Sequence, residues 1–247
     1  MAAVTFARSK QRVEATPCWL LHSYPYKETS LIVEVLSRQH GRVALVARGA
    51  RRPTSSLRGN LLAFQPLMLS WFGGGELKTL HAAEWQGGVA QLTGLPLICG
   101  FYLNELLLRL VPREDAHPGL FDAYRLAAIA LAKAPTEVEP VLRRFELTLL
   151  TELGYGLTLA RDLHGQPVEA AREYRFLSGR GIVPANEIPA GMGVGLSGRS
   201  LAAMAAGDYS EPQSALQAKQ LMRVLLAELL GDAPLHTRKI LRDLHKL

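Results

Sequence analysis

Between residues 18 and 85 the apolar positions recur at every second residue. Leu31, Val33 and Val35 alternate with Ile32, Glu34 and Leu36, and Val43, Leu45 and Ala47 with Arg42, Ala44, Val46 and Arg48. Leu67–Phe72 and Leu77–His81 continue the pattern, and an opening run falls near Cys18–His22. A period of two belongs to strands with one buried face. Gly41 and Gly73-Gly74-Gly75 supply hairpin turns between the runs. Five strands within about 75 residues predict a small closed barrel of OB-fold size.

After Trp85 the period lengthens. Leu103, Leu106, Leu107 and Leu110 fall on one helical stripe, and Phe121, Tyr124, Ala128 and Leu131 on another. A third helix is expected to open on the capping box Thr136-Glu137-Val138-Glu139, with Pro140 in its first turn, and to close at Gly154. Ser210-Glu211-Pro212-Gln213 announces a further helix ending at Gly231. The stretch from Gly165 to Gly195 is rich in Gly and Pro and reads as irregular. The pattern thus predicts an α+β chain. A five-stranded OB-fold β-barrel occupies residues 1–86, and a helical domain occupies 87–247 with an irregular insert near 160–196.

Composition narrows the class. Of 247 residues 48% are hydrophobic and 20% charged, which excludes wholesale disorder and collagen-like repeats. Two cysteines, Cys18 and Cys99, make neither a disulfide framework nor an all-cysteine zinc site, and each sits where a small apolar filler fits. Leu95–Val111 carries Asn104, Glu105 and Arg109, too polar for a membrane span. Met1–Ala15 has Arg8, Lys10, Arg12 and Glu14 but no apolar block, so no secretory signal is expected. A cytoplasmic protein is expected.

Charge changes the picture more. Met1–Trp85 hold 11 of the 28 Lys and Arg but only 5 of the 22 Asp and Glu, a net of +6, while the remainder holds 17 of each. The whole excess lies in the barrel segment, as in a module that meets a polyanion. Its focus is Arg48-Gly49-Ala50-Arg51-Arg52-Pro53-Thr54-Ser55-Ser56-Leu57-Arg58-Gly59. Guanidinium forks take phosphate bidentately, and small neighbours let the backbone approach. Arg48, Arg51, Arg52 and Arg58 are therefore the candidate centre of a DNA footprint, supported by Lys27, Arg42 and Lys78. Trp19, Tyr24, Tyr26, Trp71 and Phe72 lie nearby in sequence. Such rings stack on unpaired bases or fill the core. Tyr24 and Tyr26, flanking Pro25, are the stacking candidates.

Other motifs carry less. Gly193-Val194-Gly195-Leu196-Ser197-Gly198 matches G-x-G-x-x-G, yet a Pro/Gly loop precedes it and no βαβ pattern surrounds it, so a flexible loop leading into a helix is expected. No P-loop, H-E-x-x-H or G-x-S-x-G occurs. The seven histidines lack ligand spacing. No catalytic residue, metal or cofactor is expected.

Several segments resemble the RecO family of bacterial recombination mediators. Tyr26–Val33, Gly41-Arg42-Val43, Ala47–Arg52, Leu77-Lys78-Thr79-Leu80 and Ala83-Glu84 are similar to its N-terminal domain. Tyr102–Leu107, Leu142–Leu147, Leu153-Gly154-Tyr155-Gly156 and Thr237–Leu241 follow in the family's order. The resemblance implies an OB-fold with a helical C-terminal domain and a non-enzymatic role in DNA repair and recombination. It also implies binding to single- and double-stranded DNA, annealing of complementary strands, and a nucleoid-associated location. It implies partnership with RecR and with single-stranded-DNA-binding protein (SSB), and through them the loading of RecA. It suggests that the helix from Val138 to Leu153 receives the acidic, phenylalanine-ended SSB tail. Leu142 and Phe145 would take the ring, and Arg143 and Arg144 the carboxylates. Many members carry a four-cysteine zinc module after the Leu-Gly-Tyr motif. Here Asp162, Leu163, His164 and Gly165 stand where the first cysteines would fall, so packing must hold the segment from Arg161 to Pro184. Two other readings compete: an OB-fold RNA-binding factor without a recombination role, and an enzyme that uses the helical body.

Overall fold

The computed structural model describes residues 12–231 and 234–244. Arg8 and Lys10, with the rest of the segment read for a secretory signal up to residue 11, lie outside the described residues. The chain divides into two compact units, one up to Lys133 and one from Ala134 onward.

The first unit is built on five strands: β1 (Arg12–Tyr26), β2 (Ser30–Ser37), β3 (Gly41–Ala47), β4 (Pro66–Phe72) and β5 (Leu77–Trp85). They close in the order β1-β2-β3-β5-β4, with β3 and β5 parallel and β4 returning to β1 antiparallel. This is the five-stranded OB-fold. One set of alternating residues fills it, including Leu20, Val33, Val35, Val43, Leu45, Leu67, Leu69 and Trp71, all buried. Full burial of such a side chain contributes about 1.5–3 kcal/mol. A one-residue slip in any strand would turn that set to solvent, so the core fixes the register. At the β2–β3 turn Ser37 pairs with Gly41, which has φ +62°. A Cβ on Gly41 would stand 2.0 Å from the Asp115 carbonyl oxygen, so the turn needs glycine for conformation and for room.

A short helix, α1 (Ser56–Asn60), lies between β3 and β4. Two long helices, α2 (Gly94–Leu110) and α3 (Pro118–Lys133), complete the unit. Their stripes bury Tyr102, Leu103, Leu106 and Leu107 on α2 and Phe121, Tyr124, Ala128 and Leu131 on α3. The Trp19 ring meets Tyr124 edge-on at 5.6 Å. Asn104 Nδ2 donates to the Leu21 carbonyl at 2.8 Å and accepts from the Tyr124 hydroxyl at 2.6 Å. The last barrel strand ends at Trp85, while the compact unit runs on through α3.

The second unit holds α4 (Val138–Glu152), strands β6 (Glu173–Leu177), β7 (Gly181–Pro184) and β8 (Val194–Ser197), and helices α5 (Gly198–Ala205), α6 (Pro212–Leu230) and α7 (His236–Leu244). The stretch expected to be irregular is a three-stranded antiparallel sheet in the order β7-β6-β8, so this part is not purely helical. The G-x-G-x-x-G stretch is likewise a strand entering a helix. Two of its three glycines answer to backbone contact, since a Cβ on Gly193 would lie 2.3 Å from the Phe176 carbonyl oxygen and one on Gly198 1.9 Å from that of Glu169. Ser197 caps α5 by accepting from Ser200 N–H. The expected capping box at α4 does not form: Glu137 is the N-cap and makes no side-chain cap bond. At α6, Glu211 is the N-cap and Pro212 opens the helix.

The residues where family members place zinc do not fit that metal. Asp162 accepts from the backbone N–H groups of His164 and Gln166, each at 2.9 Å, and His164 Nε2 pairs with Glu187 at 2.8 Å. Leu163 N–H reaches the Ile182 carbonyl at 2.7 Å. Among the described residues no group of three His, Cys, Asp or Glu could hold a metal ion. Hydrogen bonds close this loop.

Candidate nucleic-acid interface

The barrel register builds a row across its outer face. Tyr24 on β1 pairs with Ile32 on β2, Ile32 with Val46 on β3, Val46 with Thr79 on β5, and Thr79 with Phe72 on β4. Directly paired residues point to the same side of a sheet, and the neighbours Val33 and Leu45 fill the core, so this row points outward. Its two ends are aromatic and open, with Tyr24 42% and Phe72 37% exposed. Each ring is steadied by a histidine, His22 at 4.5 Å from Tyr24 and His81 at 6.4 Å from Phe72.

Beside this row stands the arginine loop. Gly49, at φ +68°, lets the chain turn directly after β3, and Arg52 N–H returns to the Gly49 carbonyl at 3.0 Å. Ala50 is buried in the barrel core and Leu57 packs against it, pinning the loop at its foot. Arg51 N–H donates to the Thr29 carbonyl at 2.9 Å, and its guanidinium donates to the Glu28 carbonyl at 3.2 Å. Arg51 thus ties the loop to the β1–β2 turn. Arg48, Arg52 and Arg58 are exposed and make no ion pair among the described residues. Between loop and β5 opens a cleft of about 620 Å³, lined by Arg48, Arg52, Thr54, Ser55, His81 and Glu84 among others. Two free guanidiniums, hydroxyl donors and an imidazole suit a phosphate, and the exposed Tyr24 and Phe72 rings suit unstacked bases.

The other sequence-predicted residues separate. Tyr26 is half-buried, with Lys27 Nζ 5.4 Å from its ring centre, at the turn that Arg51 holds. Arg42 is turned inward: its Nη1 reaches Glu34 at 3.4 Å and its Nε donates to the Val111 carbonyl at 3.0 Å. Burial pulls its guanidinium below the ordinary value. Glu34 is 1% exposed and also pairs with Arg113. Lys78 is 8% exposed, and its ammonium is taken by Glu114. Neither Arg42 nor Lys78 joins the exposed cations, because each neutralises a carboxylate that folding brings beside it. Trp19 and Trp71 are core residues. His81 and Thr79 carried no sequence signal for this face, because only the parallel β3–β5 pairing brings β5 to it.

In the second unit α4 turns Phe145 into the core and leaves Leu142 half-buried. Arg143 is buried and bonds Glu146 at 2.9 Å. Arg144 is exposed; its Nε donates to the Gly207 carbonyl at 2.9 Å and its guanidinium lies 6.0 Å from the Tyr209 ring centre.

Fold and surface define a class: an OB-fold barrel whose outer face suits a polyanion with unpaired bases. Comparison with known proteins carries this further. Residues 12–88 match the family described as Recombination protein O N terminal, and 92–239 match Recombination protein O C terminal. The DNA repair protein RecO of Aromatoleum aromaticum is 52% identical over 241 residues, covering 96% of this chain and 99% of that protein. Those of Nitrosospira multiformis (52% over 239 residues) and Chromobacterium violaceum (50% over 239) cover 96% of this chain and 98% and 97% of their own lengths. The chain belongs to the RecO family of DNA repair proteins. The RNA-binding reading gains no support from these relatives. Among the described residues no helix is long and apolar enough to cross a membrane.

Proposed function

We propose that this chain is a non-enzymatic recombination mediator of the cytoplasm and nucleoid. It binds single strands across the outer face of the barrel and anneals complementary strands. With RecR it helps to load RecA onto SSB-coated DNA. Duplex binds through the same arginines, which need only phosphates. The observation that carries the reading is the set of exposed, unpaired Arg48, Arg52 and Arg58 on a barrel that also exposes the Tyr24 and Phe72 rings. Arg51 serves it by fixing the loop and Lys27 by adding charge at the adjoining turn; Arg42 and Lys78 are left out of the footprint. The SSB tail is assigned to the second unit, with Arg144 as its accessible cation and Leu142 at the edge of its ring site. Arg143 and Phe145 act there from within the core.

The test is the salt dependence of single-strand binding. Replacing Arg48, Arg52 and Arg58 together by Ala should flatten the slope of log K against log salt by about 2, at roughly 0.7 per phosphate contact. Melting temperature should hardly move, since exposed substitutions usually cost less than about 0.5 kcal/mol. Annealing of naked strands should fall in parallel. An unchanged slope removes the loop from the interface.

A further inference from the structure

We propose that His81 is a proton-gated ligand for a backbone phosphate adjoining those that Arg48 and Arg52 take, in the cleft between the arginine loop and β5. The inference rests on the interface proposed above and adds to it a residue and a dependence on pH. Three observations lead to it. His81 is exposed, two residues beyond Thr79, at the bulge in β5 where the register with β4 shifts between Trp71–Leu80 and Ser70–Ala82. It lines the same cleft as the two guanidiniums and the hydroxyl-bearing residues Thr54 and Ser55. Its ring is exposed and is held edge-on to Phe72, so it faces the cleft in a fixed place without being buried.

The chemistry follows from the charges around it. Those facing His81 are Arg48 and Arg52 from the loop and Glu84 further along its own strand; β4 contributes only the Phe72 ring. A strand held by Arg48 and Arg52 brings an adjoining phosphate monoanion against the His81 ring, where an imidazolium meets a negative partner. Binding therefore draws one proton from solvent onto the imidazole, the side chain whose ordinary titration spans the neutral range. By linkage, affinity rises as pH falls, with a limit of one proton, or about tenfold per pH unit. The protonated ring also neutralises backbone charge, so the number of displaced counterions grows as well.

The experiment measures binding of a thymidine oligomer against salt at about pH 6 and about pH 8. For the parent protein the slope should be steeper at the lower pH by about 0.7. His81→Gln should show the shallow slope at both values, and His81→Arg the steep slope at both with tighter binding at the higher pH. In the unaltered protein, the oligomer should shield His81 from diethyl pyrocarbonate, a readout that needs no variant to fold. The proposal is overturned if His81→Gln keeps the full pH response, if His81→Arg gains nothing at high pH, or if the oligomer leaves His81 unshielded. The same assay on the Arg48→Ala, Arg52→Ala double variant separates the two levels. A normal loss there with an inert His81 sinks this proposal alone, whereas an unaffected double variant sinks the interface itself.

Discussion

Tyr24 and Trp71 are aromatic residues on neighbouring strands of one barrel, and opposite neighbours give them opposite work. Trp71 lies in the core with His40 edge-on at 5.3 Å, so Trp71→Ala should cost about 3–5 kcal/mol in denaturant unfolding. Tyr24 faces out, and Tyr24→Ala should weaken single-strand binding by about 1–3 kcal/mol while the melting temperature holds. A fall in melting temperature with unchanged affinity would return Tyr24 to the core. His40 adds a pH effect of known sign. Burial, helped by Lys78, lowers its proton affinity below the ordinary value of 6.5. The unfolded chain then binds the proton more readily, so this contribution to stability is present above that value and is lost as pH falls through the lowered one. Melting temperature should drop from about pH 7.5 to about pH 5.5, and less so in His40→Gln. Sequence could name the arginines but not sort them. Arg42 and Arg48 stand six residues apart in the same alternating run, and only the folded position of Glu34 decides that the first is spent internally.

At the scale of elements, periodicity found the long strands and helices because each repeats its pattern over several turns or pleats. It failed between Gly165 and Gly195, where strands of four or five residues alternate with Gly and Pro, and so few positions carry no period. The glycines there signalled irregularity, whereas Gly193 marks backbone held against backbone. Gly41 and Gly179 make the distinction measurable. Both have positive φ, at +62° and +69°. A Cβ at Gly179 meets nothing within 4 Å, while one at Gly41 overlaps the Asp115 carbonyl. Gly179→Ala should cost only the left-handed penalty, about 1–2 kcal/mol. Gly41→Ala should cost at least about 1 kcal/mol more, because the β2–β3 turn or the Asp115 backbone must move. Equal losses in urea melts would mean that the Asp115 segment yields freely.

For the whole molecule, the net charge is confined to the first third of the chain, and the proposed function divides the labour accordingly. The barrel segment carries the net positive charge, and the second unit holds internal pairs such as Arg143 with Glu146 and Lys219 with Glu139. If DNA and the SSB tail use separate units, their losses must separate too. Arg143 is a poor probe, since reversing its charge would bury two carboxylates together at a cost of several kcal/mol. Arg144 is the better one, because its guanidinium is exposed and gives up only one carbonyl bond and a ring contact. Arg144→Glu should weaken binding of an SSB tail peptide at least several-fold, by roughly 1–2 kcal/mol for a lost charge-assisted bond turned repulsive. It should slow annealing of SSB-coated strands and leave annealing of naked strands intact. The triple arginine-loop variant should do the reverse, losing naked-strand annealing while binding the peptide as tightly as the parent. If Arg144→Glu instead lowers naked-strand annealing and leaves the peptide untouched, α4 belongs to the DNA path and the tail docks elsewhere.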